Sequence, residues 1–65
     1  MGGMTDIEKQ IVLLKADGLT VKAIAGKLRL NETAVSKRIQ RLVKKHGCKS
    51  FINFYKLVLD KNLLS

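Results

Sequence analysis

Residues 31–47, NETAVSKRIQRLVKKHG, decide how this chain is read. Asn31 is a helix N-cap type, because its side-chain oxygen can accept a backbone N–H of the first turn, and Gly47 is a helix stop. Between them Val35, Ile39 and Leu42 recur at helical spacing, which predicts a helix over about 31–46 with one apolar stripe. A step of ~100° per residue then fixes the opposite face. Thr33, Lys37, Gln40 and Lys44 lie on it, Arg41 borders it on one side and Ser36 on the other, and Arg38 and Lys45 sit further round. Glu32 is the only acid in the stretch, at the helix start where it suits the dipole. A face kept only for solubility usually mixes Glu with Lys. Here Lys37/Arg41 and Arg41/Lys45 are like-charge pairs, each unfavourable by roughly 0.2–0.5 kcal/mol. A stripe that costs helix stability implies a polyanion to neutralise it. The competing reading is a well-solvated surface helix.

The whole chain is biased the same way. It has 65 residues, with 13 Lys and Arg against 5 acids and a formal net charge of +8. No acid falls between Glu32 and Asp60, while Lys37, Arg38, Arg41, Lys44, Lys45, Lys49 and Lys56 all do. That asymmetry favours nucleic acid over a membrane surface. A chain of this length buries only about 60% of its unfolded surface, so one domain (4–65) is expected, with little room for a cleft beside its core. Met1–Gly3 read as a disordered start or a cloning scar, with Met4 suited to be a natural first residue. Cys48 has no partner for an internal disulfide, and a reducing, cytoplasmic location is the simplest expectation. No apolar run approaches the ~20 residues of a membrane span. Asp6, Glu8, Asp17, Glu32 and Asp60 are scattered and no nucleophile–base pair is visible, so no enzyme is expected. The lone His46 has no second His or Cys partner with which to share a metal, and it reads as a core-edge residue. No metal, cofactor or small-molecule ligand is implied.

Working outward, Thr5-Asp6-Ile7-Glu8 is a capping box, and Ile7, Ile11 and Leu14 follow it to a stop at Asp17-Gly18, predicting a first helix over about 5–16. Thr20 caps a second over about 20–29, with Val21, Ile24, Ala25 and Leu28 on one face. Arg29-Leu30-Asn31 makes a tight turn with Leu30 buried in it. Ser50 caps a fourth helix over about 50–61. The result is an all-α, four-helix helix-turn-helix domain whose third helix is free to enter a major groove. Gln40 can make a bidentate contact to adenine, and Lys37 or Arg41 can donate to guanine N7 and O6. Thr33 completes the outward stripe. Arg38, Lys44, Lys45 and Lys49 suit phosphates, as do Thr20 and Lys22 beside the free N–H groups of the second helix.

With these residues in view, the chain resembles the LuxR/GerE-type helix-turn-helix domain of bacterial response regulators and quorum-sensing activators. The likeness runs without a gap from Met4 to Leu64, through ADGLTVKAIAGKL at 16–28, LNETAV at 30–35, KKHG at 44–47 and KNLL at 61–64. It implies a third helix for recognition and a fourth for dimerisation. It also implies base reading by Ser36, Lys37 and Gln40, and phosphate contact by Lys22 and Lys44. The chain departs from the family's usual pattern at Ala34, Arg38 and His46, and these 65 residues include no receiver or ligand-sensing domain, so it reads either as a fragment of a larger regulator or as a domain that acts alone. A weaker resemblance, to the N-terminal domain of the Lrp/AsnC regulators, rests on AVSKRIQRL and LVLD and needs a gap after Gly18 and extra residues after Leu42.

The predicted fourth helix is apolar around most of its circumference. Ile52, Leu59 and Leu63 form a candidate seam for a homodimer or an RNA polymerase contact, unless they complete the core. Two functions follow. One is a sequence-specific, double-stranded-DNA-binding transcription regulator. The other is a protein-interaction module that uses the fourth helix and is basic only incidentally.

Overall fold

Four side chains of the Ser/Thr/Asn class each open a helix. In the computed structural model, which describes residues 4–64, Thr5, Thr20, Asn31 and Ser50 are extended N-cap residues. Their side-chain oxygens accept the backbone N–H of Glu8, Ala23, Ala34 and Asn53 at 3.2, 3.1, 3.0 and 3.3 Å. Each bond satisfies one of the donors that a helix start leaves orphaned. The capping box is complete, since the Glu8 carboxylate accepts the Thr5 N–H at 3.0 Å. The helices are α1 (Asp6–Ala16), α2 (Val21–Leu28), α3 (Glu32–Lys45) and α4 (Phe51–Asp60), with no strand among the described residues. The all-α, four-helix expectation holds, with each predicted span matched once its cap residues are set aside. Met1–Gly3, read above as a disordered start or scar, lie outside the described residues.

The helix ends share a second device. Gly18, Arg29, Gly47 and Asn62 have positive φ, at 94°, 57°, 69° and 54°. After each one the next residue donates its N–H back across the last turn: Leu19 to Leu14 O, Leu30 to Ala25 O, Cys48 to Val43 O and Leu63 to Val58 O, at 2.8–3.2 Å. This is the Schellman pattern, in which a left-handed residue reverses the chain and the following apolar residue turns inward. Leu19 and Leu30 pack against one core cluster, and Cys48 and Leu63 against another. Two expectations are corrected here. Leu30 is half-buried rather than buried, because it caps the edge of its cluster. Leu63 does not continue the outer seam, because the reversal at Asn62 folds it against the core.

Two adjoining clusters make the core. Ile11, Ile24, Ala25 and Val35 join α1, α2 and α3, and Met4, Val12, Leu42, Phe54 and Val58 join α1, α3 and α4. Ile11 and Val12 are neighbours in sequence and serve different clusters, so α1 is the wall between them. Ile7, Ile11 and Leu14 form the predicted stripe, but Val12 and Met4 are additional core residues that one helical face does not reveal. On α3, Val35 and Leu42 divide the same two duties. The α2–α3 pair packs more extensively than any other, as a helix-turn-helix requires. No described helix is long and apolar enough to cross a membrane.

Candidate nucleic-acid interface

The turn between α2 and α3 sets this surface. Arg29 in the left-handed region and Leu30 folded inward leave only Asn31 before α3 begins, and Ala25, 3% exposed, lets α2 lie close to its neighbours. Val35 and Leu42 are buried and Ile39 is half-buried, so the opposite side of α3 faces outward over its whole length. Thr33, Lys37, Gln40 and Lys44 are exposed along it.

The start of α2 closes one flank of that stripe into an open concavity of about 440 Å³, lined by Val21, Glu32, Thr33, Ser36, Lys37 and Gln40. Four of the five residues assigned to base reading therefore line one hollow. Ser36, which the helical wheel puts only on a border, is half-buried in it. Arg41 is exposed but lies on the other flank with Lys45 and the half-buried Arg38, so it is not part of this group. The side chains of Glu32, Thr33, Ser36, Lys37 and Gln40 make no hydrogen bond or ion pair with any described residue. A row of exposed and half-buried polar groups with no partner among the described residues is available to a ligand's donors and acceptors.

The phosphate candidates come from several elements, and none of them lines this hollow. Lys22 is exposed in the first turn of α2, next to Val21. The Thr20 oxygen accepts the Ala23 N–H, which leaves its hydroxyl proton free to donate outward. Lys44 and Lys45 are exposed in the last turn of α3, and Lys49 is exposed in the connection to α4. His46 is at the joint itself. Its Nδ1 lies 2.9 Å from the Leu42 carbonyl, which can only accept, so the proton is on Nδ1. Its ring lies 5.1 Å from that of Phe54, which makes it the core-edge residue expected. No group of three or more His, Cys, Asp or Glu among the described residues could hold a metal.

Sequence reasoning missed two lining residues, Val21 and Glu32. Both occupy the first position of a helix, and only the α2–α3 crossing brings them together. Val21 reads as one more member of an apolar face, and Glu32 as a charge suited to the dipole.

With helices, turn and exposed basic helix in place, comparison with known families is decisive. The family described as Sigma-70, region 4 matches residues 1–45, which take in α1, α2 and all of α3. The chain belongs to the sigma-70 region 4 family. This is a helix-turn-helix family of DNA binding and transcription, in the same broad group as LuxR-type domains. No curated protein and no solved structure matches the chain significantly. The region 4 match ends at Lys45, the last residue of α3, and α4 lies beyond it.

Proposed function

We propose that the chain is a sequence-specific, double-stranded-DNA-binding transcription regulator that lays α3 in the major groove. The observation that carries this reading is the concavity beside α3, whose polar side chains have no partner among the described residues. Lys37 and Gln40 read base edges, guanine N7/O6 and adenine N6/N7 being their best matches, with Thr33 and Ser36 beside them. Arg41 reaches a base edge from the other flank. Thr20, Lys22, Arg38, Lys44, Lys45 and Lys49 hold phosphates and set the register. Residues 4–65 act as one DNA-binding unit, in the cytoplasm.

An amide-shift titration of the labelled chain with a mixed-sequence duplex at moderate salt tests this. Shifts confined to Thr20–Lys22 and Thr33–Lys45 are expected. Shifts spread over every lysine, or gathered on α4, would reject groove docking.

One observation favours a second contact. Ile52 and Leu59 are 67% and 59% exposed, two turns apart on the outer face of α4. Membership of a sigma-factor family makes RNA polymerase the first partner to test there, and a second copy of the chain the alternative. Leu59→Asp should leave duplex affinity unchanged and abolish that protein contact.

A further inference from the structure

We propose that Glu32 is a specificity residue of the DNA interface, accepting a hydrogen bond from the N4 amino group of a cytosine. The inference rests on α3 being the major-groove helix. Glu32 is exposed at the first position of α3 and lines the same hollow as Thr33, Ser36, Lys37 and Gln40. It is the only acid between Asp17 and Asp60, on a surface otherwise charged by Lys and Arg.

Two structural duties for it fail to account for its placement. A capping carboxylate belongs at the third helical position, as Glu8 shows by accepting the Thr5 N–H at 3.0 Å. Glu32 stands two positions too early, and its carboxylate bonds to no described residue. A favourable interaction with the helix dipole remains. Any acid of the first turn would supply that, wherever its side chain pointed. Nothing in it calls for an acid facing a hollow that also holds the base-reading groups.

Against DNA, the same carboxylate is selective. It can only accept, and phosphates repel it, so it disfavours every register in which no donor faces it. The major-groove edge offers two donors, cytosine N4 and adenine N6. Adenine places its N7 acceptor beside N6, where it opposes a second carboxylate oxygen. Guanine O6/N7 and thymine O4 are acceptors and repel outright. Cytosine alone presents a donor without an acceptor on the same base, so Glu32 selects a G·C pair in one orientation.

Selection from a pool of randomised duplexes, with the full 65-residue chain, tests this. Wild-type protein should enrich cytosine at one position about ten-fold, within what a single base contact contributes. Glu32→Gln should move that position towards adenine, whose N6/N7 pair matches an amide. Glu32→Ala should leave it unselective, with the other positions unchanged for both variants. Both should also bind a mixed-sequence duplex about three-fold more tightly, because a charge facing the phosphates is gone. If wild type selects a motif and both variants select the same one, the role of Glu32 is overturned while groove reading stands. If wild type selects no motif at all, groove reading falls and takes this role with it. Unchanged helical circular dichroism of the variants excludes unfolding as the cause of either result.

Discussion

The α2–α3 region and the α4 region make opposite use of their outer faces. The first puts Ile24, Ala25 and Val35 inside and shows the solvent Thr33, Lys37, Gln40 and Lys44. The second buries Phe54 and Val58 yet still leaves Ile52 and Leu59 outside. The difference shows that burial alone does not set the outer composition of a small helical domain. A chain so short on core would gain more by turning Ile52 and Leu59 inward than by leaving them in water, at roughly 1.5–3 kcal/mol for a fully buried aliphatic side chain. The boundary of the family match follows the same division, stopping where α3 stops.

The strongest way to break the contrast is to ask whether the two regions fold separately. Phe54 is fully buried, and Phe54→Ala should cost about 3–5 kcal/mol. That is about all a core of this size supplies. Because Ile11 and Val12 tie both clusters to α1, the whole chain should lose helical circular dichroism and amide dispersion together. A spectrum in which α1–α3 stayed dispersed would show two units instead of one.

A smaller effect sharpens the division of labour along α3. Lys37→Ala should lose about 1–3 kcal/mol at a preferred site and relax the base choice there. Lys44→Ala should weaken all duplexes alike and lower the salt slope by about one. Anisotropy titrations over a salt series, on selected and mixed duplexes, separate the two. Equal losses on both duplexes for Lys37→Ala would move the reading face elsewhere.

The smallest concerns the turn that joins α3 to α2. Arg29 holds φ at 57°, a conformation that costs a residue with a Cβ about 1–2 kcal/mol. Arg29→Gly relieves it and returns about 0.5–1 kcal/mol to the unfolded chain as entropy. A net gain of about 0.5–1 kcal/mol is expected, seen as a melting temperature about 2–8 °C higher. Gly26→Ala, in open space on α2, is the matching control for a glycine with no positive φ.

These residues also mark what could be read without coordinates. The four caps were legible because Ser, Thr and Asn advertise helix starts, and Gly18 and Gly47 because glycine favours the left-handed region. Arg29 performs the same reversal, but an arginine carries no such signal; at Asn62 the reversal was overlooked, which is why Leu63 was expected on a seam it does not join. Val12 was invisible for a different reason. A helical wheel finds one apolar face, and α1 is packed on two sides. The outward surface beside α3 was legible where one helix determines it, at the exposed Thr33, Lys37, Gln40 and Lys44. It was not legible at Val21 and Glu32, whose place depends on how α2 crosses α3.

The four brackets, a cap at each helix start and an inward-turned residue after each end, have a kinetic consequence. Every helix carries its own start and stop within a few residues of chain, so little of the fold waits for distant segments to meet. Helical chains dominated by such local contacts fold in about microseconds to milliseconds. A molecule that melts locally can therefore regain its four-helix form quickly, each helix re-forming between its own cap and its own stop.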